Sequence, residues 1–465
     1  MLQPYSKFMD KKSFFGLLLL SLFSFAIQAQ SNKWTLEECV DYAIQHNISI
    51  KQTELDTKIA ALDKKEAIGN FLPALNANAS HSWNIGLNQD ITTGFLRNQT
   101  TQFTSASATV GVDIYNGFQN LNTLRKANLS IVAAKYQLLK MQEDVALNVA
   151  NAFLQVLFNK ENLKVQQEQL AFNEKQLTRS QELVLAGSVP RGDLLDIKAT
   201  VVSDKQKVVA ADNALLISKL GLAQLIQLPD FENFDILEDT SLKEEHTILS
   251  QTPTAIYDTA KLNRTELKIA QTNLEIAQKN VTIAKGGFQP NLKGFYNFNS
   301  RVSYADAPAF DPITGSIIGT KNPAPFFDQF SDNKGQSFGA QLSIPVFNGF
   351  SVRNNVERSK VNLEKSKIAL EQQELDLQRN VYAAFADAKG ALKAHEASLV
   401  SLEARQEAYH YAKEKYAVGM MNSFDFNQSQ TLLSNSQSEV LRTKYDFIFK
   451  IKILEFYFGI AIIKN

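Results

Sequence analysis

The chain has 465 residues, and its 48 lysines and arginines are balanced by 48 aspartates and glutamates. That balance leaves no basic excess to attract nucleic acid. A single cysteine, Cys39, excludes an internal disulfide framework and any cysteine-based zinc site, while only 11 prolines and 20 glycines argue against a loop-rich or disordered chain.

Lys11 and Lys12 precede an apolar run from Phe14 to Ile27, which Ala29 closes with a small residue. This order of basic, apolar and small residues predicts a secretory signal peptide over residues 1–29, with Gln30 as the mature N-terminus. Met9 offers a second start, and the run ends without the cysteine at its cleavage site that an acylated lipoprotein would need. Beyond it no apolar stretch approaches the ~18 residues of a membrane-spanning helix. An exported chain of this kind is either soluble or a β-barrel.

Cys39 reads as a small packed residue in a short helix, and a second helix is expected over 47–70. From Ala74 to Asn88 the period changes to two. The odd positions are Leu75, Ala77, Ala79, His81, Trp83, Ile85 and Leu87, and the even ones are mainly Asn and Ser. Residues 104–114 alternate in the same way through Ala106, Ala108, Val110, Val112 and Ile114. Two more alternating segments follow at 291–301, with Tyr296 and Phe298, and at 337–346, with Phe338, Leu342 and Val346. Each is long enough for the ~9–11 residues of a bilayer-crossing strand. Phe71, Tyr115, Phe118, Phe288, Phe347 and Phe350 gather at one end and Trp83 lies nearer the other, as in interfacial girdles. The rival is a soluble sandwich with a half-exposed sheet.

Helices with apolar residues at spacings of three and four are predicted over 119–186, 189–227, 264–286, 351–418 and 423–458. The first long one, free of proline and internal glycine, would extend about 100 Å at ~1.5 Å per residue. Coiled coils and helical tubes use such lengths. Between Pro229 and Pro253 the pattern fades; Glu238-Asp239 and Lys243-Glu244-Glu245 read there as a solvated face.

The plan is written twice. Tyr115-Asn116-Gly117-Phe118 returns as Phe347-Asn348-Gly349-Phe350, and the same offset carries Gly187 onto Gly419 and Asp193 onto Asp425. A shorter offset joins Phe71-Leu72-Pro73 to Phe288-Gln289-Pro290, so the second half has the longer loop between its strands. The expected organisation is a first repeat over 30–228, an equatorial linker over 229–252 and a second repeat over 253–465. The fold class is mainly α with a β-barrel part. Four strands cannot close a barrel and open edges are not tolerated in lipid, so copies must share one: twelve strands in a trimer or eight in a dimer.

Strand pairs set between long helices, twice over, behind a signal peptide, resemble the TolC outer-membrane efflux family across nearly all of the mature chain. The most specific motif is the glycine turn after each long helix: a tyrosine three before a glycine, an aspartate six after it, then an apolar residue. Tyr416, Gly419, Asp425 and Phe426 fit it; Gly187, Asp193 and Leu194 fit the first copy, where Val184 replaces the tyrosine. The resemblance implies a homotrimer with a twelve-stranded barrel in outer-membrane lipid and a tube of duplicated long-helix hairpins in the periplasm. It implies turns that meet a periplasmic adaptor (membrane fusion) protein through Gly187, Asp193, Leu194, Gly419 and Phe426. It further implies a latch of Tyr416 with Asp193, and Asp425 ringing the aperture. Gln428 replaces a second aspartate of some members, Met421 a basic latch residue, and Pro190 stiffens the first turn. Helix capping is an equal physical account of Asp193 and Asp425, and Tyr416 can pack as an apolar ring.

Of the five histidines, His46, His81, His246, His395 and His410, none has metal-ligand spacing, and His395 and His410 are expected on the surface or lining the tube. No phosphate loop or dinucleotide fingerprint is present. The expectation is a passive duct without enzymatic activity or cofactor, serving a proton-driven or ATP-driven inner-membrane transporter. The rivals are a type I protein secretion duct and a periplasmic coiled-coil scaffold without a pore.

Overall fold

The computed structural model describes residues 33–89, 94–229, 231, 233–237 and 247–460. The expected signal peptide over residues 1–29, His246 and the charged stretch from Glu238 to Glu245 lie outside the described residues. The chain forms two compact units that each draw on both halves of the sequence. One comprises residues up to Glu54, Leu138–Thr265 and residues from Glu374 onward; the other comprises Leu55–Gln137 and Glu266–Gln373.

The second unit carries the sheet. Its strands are β1 (Ala74–Gln89), β2 (Leu96–Asn116), β3 (Asn291–Ser303) and β6 (Gly335–Ser343), antiparallel in the order β1-β2-β3-β6. The register gives it two chemically different faces, because directly paired residues point the same way. One row runs Leu75, Val110, Tyr296, Phe338; the next row up is Ala77, Ala108, Phe298, Gln336. The opposite face reads Asn76, Thr109, Asn297, Ser337, then Asn78, Ser107, Asn299. On that polar face Lys293 and Asp113 form an ion pair of 3.4 Å across the strands.

Two strand boundaries differ from the sequence reading by more than two residues. β2 starts at Leu96 rather than 104, and β6 stops at Ser343 rather than 346. Leu96–Phe103 is rich in Asn, Gln and Thr and shows no alternation; pairing with β1, from Arg97 against Asn88 to Phe103 against Ser82, makes it strand. Pro345 ends β6 because it has no N–H for the ladder. The connection from β3 to β6 holds a hairpin, β4 (Ala307–Phe310) with β5 (Ile317–Lys321), and the short helix α7 (Phe326–Asp332).

Both Asn-Gly-Phe turns have the same backbone. Gly117 and Phe118 have φ of 65° and 59°, and Gly349 and Phe350 have 59° and 64°. In each turn the preceding ring meets the following phenylalanine edge-on, at 5.2 Å for Tyr115–Phe118 and 5.7 Å for Phe347–Phe350. Repeated sequence has become repeated geometry.

The helices follow in chain order as α1 (Leu36–His46), α2 (Ile48–Gly69), α3 (Gln119–Leu185), α4 (Arg191–Ile226), α5 (Pro253–Asn263), α6 (Thr265–Gly286), α8 (Ser351–Ala417) and α9 (Ser423–Phe458). α3 and α8 each have 67 residues, about 100 Å of helix. In the first unit the apolar core gathers Val149, Phe153 and Leu157 of α3, Leu222 and Ile226 of α4, Ile50 of α2 and Val40 of α1 around Ile236. Thr35 and Glu38 make a capping box at the start of α1. Cys39 is fully buried on this helix, and burial, aided by the charge of Glu38, pushes its thiol up to about 12.

Trp34 N–H donates to the Asp235 carbonyl at 3.0 Å and Leu237 N–H to that of Trp34 at 2.9 Å, tying the segment after α4 to the chain's start. Burial raises the pKa of the Asp235 carboxyl, but hydrogen bonds from Lys219 and Lys160 outweigh it and hold the carboxyl below its usual value. α4 contains an 18-residue window apolar enough by length and composition to cross a bilayer, although the sequence shows no continuous apolar run. Only 28% of that window is buried in the protomer.

His395 departs from the expectation of a surface or tube-lining residue. It is 4% exposed, with Nδ1 3.2 Å from Thr443 Oγ1 and its ring stacked on Phe447 between α8 and α9. Ser398, one turn on, supplies a second hydroxyl to Thr443 at 2.8 Å, so the polar ring is accommodated without reaching solvent.

Candidate functional site: the two helix turns

The turn from α3 to α4 and the turn from α8 to α9 both belong to the first unit. In the first, Ser188 N–H donates to the Leu183 carbonyl at 2.9 Å and Gly187 N–H to that of Val184 at 3.0 Å. In the second, Met420 N–H donates to the Lys415 carbonyl at 2.8 Å and Gly419 N–H to that of Tyr416 at 3.2 Å. These paired bonds close each long helix around a left-handed glycine, φ 73° at Gly187 and 76° at Gly419.

The aspartates are not the helix caps. Pro190 is the N-cap of α4 and makes no side-chain cap bond, and Asp193 lies in the first helical turn, half-buried, beside half-buried Leu194. Asn422 caps α9: its Oδ1 accepts from Asp425 N–H at 2.8 Å and its Nδ2 donates to Asp425 Oδ2 at 2.9 Å. Each carboxylate sits where a helix N-terminus favours negative charge, and Asp425 remains exposed. The local signal for this cap is Asn-x-x-Asp ahead of an apolar residue, Asn422 to Phe426.

Tyr416 is placed by stacking. Its ring lies parallel to that of Phe426 at 4.6 Å, Tyr409 stacks on the other part of this cluster at 5.8 Å, and Phe426 is 2% exposed. Phe426 is thus the anchor that holds α9 against the end of α8. Among the described residues Tyr416 makes no hydrogen bond to Asp193 within the protomer. On the two turns Leu185, Leu195, Val418, Met420 and Phe424 are exposed.

Behind the turns the packing becomes polar. Asn173 Nδ2 donates to Asp204 Oδ2 at 2.5 Å, and Lys207 reaches the other oxygen at 3.0 Å. Gln430 and Ser434 of α9 and Ser180 of α3 are also buried. Asn173 Oδ1 and Gln430 Oε1 have no hydrogen-bond partner among the described residues; each such group costs roughly 1–3 kcal/mol. This end of the helices is therefore held less firmly than the middle of α3 around Phe153 and Leu157.

Long paired helices with glycine turns, and an amphipathic four-stranded sheet with two unpaired edges, define a protein of the outer-membrane channel class. The sequence profile of the outer membrane efflux protein family matches residues 39–226 and 256–448, and the chain belongs to that family. Nodulation protein T of Rhizobium leguminosarum bv. viciae is 22% identical over 414 residues, 87% of this chain and 78% of that protein. Outer membrane protein TolC of Escherichia coli (strain K12) is 22% identical over 435 residues, covering 93% and 83%. The crystal structure of CusC superposes with a TM-score of 0.75 at 16% identity, covering 92% of each chain. The protein is accordingly an outer-membrane protein of a family of channels.

Proposed function

We propose that three copies of this chain close one twelve-stranded barrel and together form a passive exit duct, joined by a periplasmic adaptor to an inner-membrane transporter. The open sheet carries this reading. Its two edge strands, β1 of 16 residues and β6 of 9, are exposed on both faces, including Leu75, Ile85, Phe338 and Leu342 on one of them. In a bilayer every unpaired backbone group costs several kcal/mol, so β1 of one copy pairs with β6 of the next. The polar face of Asn, Ser and Thr then lines a wet lumen and the apolar face meets lipid.

The helices supply a second argument for association. Leu195, Val202, Val209 and Leu216 of α4 are all exposed, and so are Val361, Ile368, Leu375 and Tyr382 of α8. Each set recurs every seventh residue, as does Ile48, Leu55, Leu62 on α2. Such spacing keeps one stripe on one side of a helix and is the seam by which helices of separate copies interlock. The resemblance to the TolC family favours three copies over two.

At the helix turns the exposed Leu185, Val418, Met420 and Phe424 suit adaptor contact, and Asp425 from three copies forms an acidic ring. A ring of carboxylates at a narrow aperture raises the local cation concentration. Asp425→Asn is expected to lower cation preference in single-channel recordings while conductance persists; unchanged selectivity removes Asp425 from the aperture. Cross-linking in cells with a tagged chain, then identification of co-purified inner-membrane proteins, tests the coupling. A proton-driven pump assigns small-molecule efflux and an ATP-driven exporter assigns secretion; recovery of neither transporter nor adaptor removes the duct mechanism.

A further inference from the structure

We propose that α7 is an interfacial helix that seats Phe327 among the lipid chains of the outer leaflet, on the outside of the barrel. The inference rests on the barrel reading above and concerns a segment that the four strands do not require.

Beyond Asn299 and Gly335 the pairing of β3 with β6 ends, and α7 takes over the vacated edge. Gln329 accepts from Ser303 N–H at 3.1 Å and donates to the Ser303 carbonyl at 3.0 Å, and Asn333 donates to the Arg301 carbonyl at 2.7 Å. Two side chains thus replace the missing strand. From that edge the helix leans over one face of the sheet. Ser300 Oγ donates to the Phe330 carbonyl at 2.8 Å, the Phe330 ring lies 6.2 Å from that of Phe298, and Ser300 and Val302 are only 3% and 1% exposed.

The covered face decides the partner. Phe298, Ser300 and Val302 pair with Ala108, Ala106 and Thr104, and through them with Ala77, Ala79 and His81 of β1. That is the apolar face, continuous with the row of Leu75, Val110, Tyr296 and Phe338, not the Asn- and Ser-lined lumen face. The same face ends in an aromatic group in which His81 meets Trp83 at 4.3 Å and Tyr304 at 5.5 Å, the kind of cluster found at a membrane interface. α7 lies beside this group.

Its own sequence is amphipathic in the matching sense. At about 100° per residue, Phe326, Phe327 and Phe330 fall within an arc of about 100°, and Asp328 and Asp332 lie on the opposite side. Phe330 packs on Phe298, while Phe327, in edge contact with Phe326, is 81% exposed and leaves an uncovered ring next to the apolar face. Aromatic rings on one side and carboxylates on the other suit a helix lying in the plane of the interface.

The test uses the assembled protein in vesicles of phosphatidylcholine with and without brominated acyl chains, which quench tryptophan on contact. The chain has two tryptophans, Trp34 and Trp83, and Trp83 on the outward face reports the barrel itself. Phe327→Trp is placed in a Trp83→Phe background and compared with that background alone. The proposal expects emission from position 327 to be blue-shifted and to lose intensity in brominated vesicles as strongly as Trp83 does in the native chain. Quenching of Trp83 without quenching at 327 overturns the proposal and leaves the barrel standing; red emission then means water covers the residue, and blue emission means a neighbouring subunit does. Absence of quenching at both positions overturns the barrel reading and this inference with it.

Discussion

Val209→Asp and Leu216→Asp are each expected to leave the purified protein monomeric in detergent while its helical circular dichroism stays at the native level. Both native side chains are more than half exposed in the protomer, at 68% and 58%, so a carboxylate there meets water in the monomer and disturbs no packing. In the assembled seam the same carboxylate is buried without a partner. The cost is on the order of 3 kcal/mol for each of three copies, larger than most interfaces tolerate. Light scattering in detergent reads the result directly. A native-sized trimer from either variant would mean that the seventh-residue stripe on α4 faces something other than a second copy.

The second large effect is expected at Gly117, and the contrast with Gly349 isolates its cause. The two glycines occupy matching turns with φ of 65° and 59°. A left-handed alanine costs about 1–2 kcal/mol at either position. Only at Gly117 does a new Cβ also fall 2.3 Å from a backbone atom, the Gly286 carbonyl oxygen, where α6 passes against the turn. At Gly349 there is open space. Gly117→Ala must move backbone, with a further penalty of about 1–3 kcal/mol, so its total loss is ~2–5 kcal/mol. Gly349→Ala should lose about 1–2 kcal/mol. Urea titration of the folded protein in detergent distinguishes them; equal losses at the two sites would put the whole effect in the backbone angle and none in the crowding.

This contrast also marks where the sequence stops informing. The duplication made Gly117 and Gly349 look alike, and their backbones are alike, but the close approach of α6 to one of them is a tertiary fact with no local signature. The long helices were legible because a spacing of three and four runs unbroken between clear stops, as at Gly187 and Gly419. The strands were legible where apolar and small polar residues alternate. Leu96–Phe103 lacks that alternation and was missed, because its pairing partner alone makes it strand. Pro345 was visible as a breaker, yet Ile344 and Val346 continue the alternation and hid the end of β6. His395 looked like a solvated residue because nothing in α8 signals that Ser398 and Thr443 converge on it.

At the turns the sequence motif marked where the two long helices end, at Gly187 and Gly419, and left the relations among its residues open. Stacking of Tyr416 on Phe426 follows from ring positions that only the folded hairpin brings together. Side-chain capping, one of two accounts of the aspartates, falls instead to Asn422 on α9, while α4 begins at Pro190 without a side-chain cap. Asp425 stays exposed at the turn, with one carboxylate oxygen accepting from Asn422. The polar layer of Asn173, Asp204 and Gln430 was invisible, since polar residues on a helix are usually solvated.

The central claim is that the sheet closes by pairing β1 of one copy with β6 of the next. Paired cysteines test it most directly: one replaces Asn76, Asn78 or Ser80 in β1, and the other replaces Ser337, Gly339 or Gln341 in β6. The native Cys39 thiol is buried and does not compete. Oxidation of the assembled protein should give, for at least one pairing, a ladder that ends at a covalent trimer. A ladder ending at a dimer, or monomer alone from every pairing, would contradict closure of a twelve-stranded barrel.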